Sequence, residues 1–153
     1  KLIKDKGFKG RSEAASRSDL DLDLLTILVN DPDPLVRSKL AANSLLPMDF
    51  LTKLAHDESP IVKAGVAYND NATVEMLVRI SEVKDRDVME VLASNRNTPS
   101  EVLKELAEAE DVYVLLELAE NKNTPKEVLE KLVDHKDPNV RWEAMDNLKK
   151  SRR

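Results

Sequence analysis

The stretch from Asn95 to Asn121, NRNTPSEVLKELAEAEDVYVLLELAEN, is one repeat unit together with the first residue of its successor. Moving 26 residues at a time from Asn95 meets asparagine again, at Asn43, Asn69, Asn121 and Asn147. Self-similarity at a fixed period of this size marks a solenoid, in which each unit packs on its neighbours and the core runs as a ribbon along the stack.

Each period holds two short helical patterns. In Thr98-Pro99-Ser100-Glu101 and again in Thr124-Pro125-Lys126-Glu127, the spacing predicts a capping box: a hydroxyl N-cap, Pro at the first helical position and Glu reaching back to the cap amide. Behind it, Val102, Leu103, Leu106 and Ala107 fall on one face of a helix, helix A. The same face recurs as Leu24, Leu25, Leu28 and Val29; Phe50, Leu51, Leu54 and Ala55; Met76, Leu77, Ile80 and Ser81; and Val128, Leu129, Leu132 and Val133. A polar break containing Asp and often Pro follows, as in Asp31-Pro32-Asp33-Pro34. The second pattern, helix B, runs Val36, Leu40, Ala41; Val62, Val66, Ala67; Val88, Leu92, Ala93; Val114, Leu118, Ala119; and Val140, Ala144, Met145. It reads as the shorter helix, at roughly eight residues, and as partly 3₁₀. Asn43, Asn69, Asn95, Asn121 and Asn147 form a structural ladder that closes helix B. Asn suits the left-handed backbone that ends helices, and its amide can bond loop carbonyls of the adjacent unit.

Composition agrees with an all-α solenoid of 26-residue two-helix repeats without β-sheet. Charged residues make up 35%, hydrophobic ones 41% and aromatics only 3%, with three glycines, all in the first half. The absence of cysteine excludes disulfides, thiolate metal sites and cysteine nucleophiles. No apolar run approaches the ~20 residues of a membrane span, so a soluble, cytoplasmic protein is expected.

Residues 1–153 read as a single repeat domain: 1–18 a truncated first repeat, 19–147 five repeats, and 148–153 a basic C-terminal tail. Leu2, Ile3, Asp5, Arg11, Ser12 and Ala15 repeat Leu28, Val29, Asp31, Arg37, Ser38 and Ala41 one period later. With a first unit cut in this way and no Met at the start, the chain is expected to be a piece of something longer.

From Leu2 to Asn147, the segments Val36-Arg37 through Asn43, the Asn-x-Asn-Thr-Pro-x-Glu-Val-Leu-x-x-Leu-Ala runs, and His135 through Arg141 resemble the leucine-rich repeat variant family. That resemblance implies alternating α and 3₁₀ helices stacked into a right-handed superhelix, with HEAT and armadillo arrays as distant architectural relatives. The family's founding example carries a cysteine-ligated iron–sulfur module, which a chain without Cys does not carry over. No general biochemical activity comes with the repeat.

No catalytic constellation is legible, and no metal or cofactor is expected. His56 and His135 are three units apart, too far at about 8–10 Å per packed helix layer to share a ligand. Residues of equal phase, however, stack into columns along one face. The column after the helix B valine reads Arg11, Arg37, Lys63, Met89, Leu115, Arg141, and the next reads Ser12, Ser38, Ala64, Glu90, Leu116, Trp142. Met89, Leu115, Leu116 and Trp142 either form an exposed apolar patch bordered by Tyr68 and Tyr113, or close the core. The patch reading makes the chain a non-enzymatic scaffold that binds a protein or peptide through helix B. Arg11, Arg37 and Lys63 would then take acidic groups, while Leu115, Leu116 and Trp142 take an apolar anchor. The alternative is a nucleic-acid-binding solenoid, with the basic column and loop residues Arg96, Lys122 and Lys149 tracking phosphates. The net charge of −5 and the interruption of that column argue against it.

Overall fold

The computed structural model describes residues 7–151, so Leu2, Ile3, Asp5 and the last two residues of the basic tail lie outside it. The chain forms two compact units, Lys1–Met76 and Leu77–Arg153. Among the described residues there are eleven α-helices and no strand, the arrangement of an all-α helical-repeat solenoid. Helix A of successive repeats is α2 (Leu22–Leu28), α4 (Met48–Ala55), α6 (Val74–Ser81), α8 (Ser100–Leu106) and α10 (Lys126–Leu132). Helix B is α1 (Phe8–Ala15), α3 (Pro34–Ala41), α5 (Pro60–Tyr68), α7 (Arg86–Ser94), α9 (Val112–Glu120) and α11 (Pro138–Lys150).

The expectation that helix B is the shorter element and partly 3₁₀ is corrected. It is α-helical in every described repeat, 8 or 9 residues long and 13 in α11, against 7 or 8 for helix A. Side-chain capping supports four of the six, whereas α1 and α5 form without it. An aspartate precedes four of these helices, and its Oδ1 accepts from the first-turn amides: Asp33 from Leu35 (2.9 Å), Asp85 from Asp87 (3.0 Å), Asp111 from Tyr113 (2.9 Å) and Asp137 from Asn139 (2.8 Å). A carboxylate there satisfies orphan donors and complements the helix dipole, so a two-turn α-helix is supported at its costliest end.

The capping boxes are corrected as well. Pro99 and Pro125 occupy the N-cap position of α8 and α10 without side-chain capping. The hydroxyls of Thr98 and Thr124 are buried and point backwards, donating to the carbonyls of Leu92 and Leu118 at 2.7 Å. They satisfy the end of the preceding helix B rather than the start of helix A. A true threonine cap occurs instead at the start of α6: Thr73 Oγ1 accepts from the Met76 amide at 3.3 Å.

Within Lys1–Met76 the core is built from Leu28, Val36, Leu40, Leu51, Leu54, Val62 and Val66; within Leu77–Arg153 from Leu77, Ile80, Val88, Leu92, Leu103, Val114, Leu118, Leu129 and Val140. These are the predicted inward positions of helices A and B. One assignment fails: Met145 is 44% exposed, because it lies in the last described layer, while its counterparts Ala41, Ala67, Ala93 and Ala119 are fully covered.

The asparagines join one layer to the next. Asn43 Nδ2 donates to the carbonyls of Ala15 (3.0 Å) and Arg17 (2.8 Å), and Asn69 to those of Ala41 (2.8 Å) and Asn43 (2.9 Å). Asn121 donates to Ala93 (2.7 Å) and Asn95 (3.2 Å), and Asn147 to Ala119 (2.8 Å) and Asn121 (2.9 Å). The Oδ1 atoms of Asn43, Asn69, Asn95 and Asn121 accept the amide two residues on, at 2.7–3.0 Å. No left-handed backbone is involved: among the described residues none, glycine included, has positive φ, and Asn69, Asn95 and Asn121 are extended. Asn147 does not end its helix at all, since α11 continues to Lys150. A second asparagine column, unassigned in the sequence, runs beside the first, with Asn71 Nδ2 on Ser44 O (2.8 Å) and Asn123 Nδ2 on Arg96 O.

Two variants test this packing. Asn121→Ala should cost about 2–3 kcal/mol in urea unfolding, because two carbonyls and one amide lose their partner in a buried place; a cost below about 0.5 kcal/mol would remove the ladder from the account of stability. Gly65→Ala sets a helix-propensity gain of about 1 kcal/mol against a Cβ only 2.4 Å from the Ser38 carbonyl oxygen. Since that atom is backbone of α3 and cannot swing aside, net destabilisation is expected, and a stabilised Gly65→Ala would mean that α3 and α5 readily move apart.

Candidate functional site

The basic column is tied down by its own chain. Arg11 Nε meets Asp31 Oδ2 at 2.7 Å, and Arg37 meets both oxygens of Asp57 at 2.7 and 3.0 Å while its Nη1 donates to the Asp31 carbonyl at 2.7 Å. Each aspartate also accepts a loop amide, Asp31 from Asp33 (3.0 Å) and Asp57 from Ser59 (2.9 Å). Burial alone would raise the Asp57 carboxyl, yet the hydrogen bonds from Arg37 and Ser59 and the charges of Arg37 and Lys63 hold it below the usual carboxylate range. Arg11 and Arg37 are therefore ladder residues linking helix B to the loop 20 residues on.

In the second unit the exchange is matched on both sides. Where helix B carries Met89 and Leu115, the loop position of Asp31 and Asp57 carries Ala109 and His135. Leu115 is only 3% exposed and lines one hollow with Ala109 and His135, so the expectation that it anchors a partner is corrected: it is core. His135 Nδ1 accepts the Asp137 amide at 3.1 Å, the role Asp57 plays toward Ser59. Arg141 closes the loop of its own repeat, donating to the carbonyls of His135 (2.8 Å) and Lys136 (2.9 Å). Lys63 and Met89 are half-buried. His56 is exposed, with Nδ1 2.9 Å from the Thr52 carbonyl. Among the described residues no three His, Asp or Glu side chains are grouped as metal ligands would be, and no helix is long and apolar enough to cross a membrane.

The next column is different. Leu116 is half-buried and Trp142 is 63% exposed; Tyr113, on the same helix as Leu116, is 60% exposed, and Met145 lies one turn beyond Trp142. Around these four stand carboxylates from the neighbouring rows of α7, α9 and α11: Glu90, Glu117, Glu120, Glu143 and Asp146. Burial raises the Glu117 carboxyl, helped by the charges of Glu120 and Glu90, and burial likewise raises Glu143, helped by Glu120 and Asp146. Three cations stand nearby: Arg86 on Asp111 (3.0 Å), on Glu90 (3.5 Å) and over the Tyr113 ring at 4.9 Å; Lys150 on Asp146 (2.5 Å); and Lys122, which lines one hollow with Glu120, Glu143 and Asp146. Lys149, expected in a loop, is in α11. These acidic rows escaped the two-column reading because they occupy later phases of helix B; aligning Val91, Glu117, Glu143 and Ser94, Glu120, Asp146 is the signal that finds them.

No known family model matches the chain, and no curated protein does. Among solved structures it is similar to one described as "a leucine-rich repeat variant with a novel repetitive protein structural motif", at 26% identity and a TM-score of 0.51, over 95% of this chain and 68% of that one. In its stacked helical repeats, and over nearly its whole length, the chain resembles the leucine-rich repeat variant.

Proposed function

We propose that the chain is a non-catalytic cytoplasmic scaffold whose helical repeats bind another protein through the outer face of helix B in the unit Leu77–Arg153. The observation that carries this reading is the placement of the single tryptophan. In a chain with one Trp and two Tyr, Trp142 of α11 and Tyr113 of the adjoining α9 stand largely exposed, with Leu116 half-buried at the same phase as Trp142. A lone exposed apolar side chain means little, but several on adjoining helices form a contiguous patch, and Trp and Tyr are the side chains that most often anchor a protein interface. The pairing of Arg11 and Arg37 with Asp31 and Asp57 weighs against nucleic acid, since those guanidinium charges are already neutralised. The carboxylates around Trp142 add repulsion toward phosphates.

Trp142→Ala should leave stability within about 0.5 kcal/mol of wild type, as exposed substitutions do, while weakening retention of a protein partner from native host lysate about tenfold or more. Circular dichroism verifies the fold and the pull-down reads the binding. Equal retention by both chains removes Trp142 as the anchor; recovery of nucleic acid alone, lost at higher salt, favours the other reading.

A further inference from the structure

We propose that the occupant of this face is a basic amphipathic segment of the partner, with its Lys or Arg side chains against Glu117, Glu120 and Glu143 and an apolar side chain against Trp142. This rests on the reading of the face as a protein-binding surface and specifies its chemistry, opposite in sign to what the basic column suggested. Because α7 packs on α9 and α9 on α11, residues of equal phase lie side by side, and the surface is striped. One row runs Glu90, Leu116, Trp142; the next two run Val91, Glu117, Glu143 and Ser94, Glu120, Asp146. Apolar side chains thus stand within one helical turn of carboxylates, the complement of a helix or strand with Leu and Lys on adjoining positions.

The stripe is concentrated in this unit, the other holding a single acid at these phases, Glu13 of α1. At the same phases α3 and α5 carry Ser38 and Ala64, Lys39 and Gly65, and Ala42 and Tyr68, with no acid among them. The carboxylates are also under-compensated: Glu117 and Glu143 face other carboxylates and are partly desolvated, whereas Asp31 and Asp57 at the opposite phase each hold an arginine. An incoming ammonium or guanidinium group supplies the missing counter-charge, and a partly shielded site strengthens that attraction.

Trp142 is the only tryptophan, so its fluorescence reports on this face directly. The full chain is titrated with an amidated peptide of repeated Leu-Lys-Lys-Leu and, separately, with the same peptide bearing Gln for Lys. The cationic peptide should give a saturable blue shift that weakens with added salt; the neutral one should bind at least tenfold more weakly. Glu117→Gln/Glu143→Gln should lose about tenfold in affinity for the cationic peptide. That variant remains folded and no less stable at neutral pH, since burial and neighbouring carboxylates disfavour the charged form it removes. Glu58→Gln/Glu75→Gln, which removes equal charge from exposed positions in the other unit, should bind as wild type does. A cationic peptide that leaves Trp142 unchanged, or equal loss in both double variants, overturns the proposal, the latter by reducing binding to net-charge adsorption. A neutral peptide that binds as tightly as the cationic one also overturns it but leaves the apolar interaction surface standing; that broader reading falls only with the Trp142→Ala retention test.

Discussion

A buried carboxamide needs three partners at once, and this fold supplies them from two layers. Asn43, Asn69 and Asn121 each spend both Nδ2 hydrogens on carbonyls of the preceding repeat and Oδ1 on an amide of their own loop, as Asn121 does with Ala93, Asn95 and Asn123. The geometry fixes the repeat length. Lengthening one period would draw the side chain away from its carbonyls and leave them unpaired in the interior, a penalty of about 1–3 kcal/mol for each group. The residue that receives the bond is fixed too: the acceptor carbonyls belong to Ala15, Ala41, Ala93 and Ala119, where a larger side chain would hold the next layer off. Period, alanine and asparagine are therefore one constraint seen from three positions.

With the interior phases committed, variation is confined to the outer ones, and it comes in matched pairs. Arg37 with Asp57 bridges two layers by charge; Leu115 with Ala109 and His135 fills the equivalent space by apolar contact. A half-exchange, arginine against alanine, would leave a partly buried charge without its partner; Lys63, with Val83 at the position 20 residues on, is the one such mismatch in the column. His135 shows how local the requirement is, because its Nδ1 replaces only the one aspartate function still needed there, acceptance of a loop amide.

The period, the inward faces of both helices and the ladder positions were legible because each depends on spacing, which burial then enforces. What was not legible depended on competition. Thr98 lies where one hydroxyl can serve either the amides that open α8 or the carbonyls that close α7, and the sequence spacing is the same for both; burial beneath the adjoining layers selects the carbonyl of Leu92. Leu115 looked exposed because a single column was read without the loop position one ladder step on, where aspartate gives way to histidine. Helix B looked short and 3₁₀-like because propensity was weighed without the aspartate that opens four of its six copies.

The same separation of inside from outside bears on function. Since ladder, caps and core account for the inward phases and for Arg11 and Arg37, the outer phases of the second unit still open to a partner include Trp142, Glu117, Glu120 and Glu143. A net charge of −5 spread evenly would say only that the chain repels phosphate. Gathered beside an exposed tryptophan on three packed helices, some of it becomes a directional field with an apolar centre, and it is the sign of that field, rather than the arginine column paired within the ladder, on which the proposed choice of partner rests.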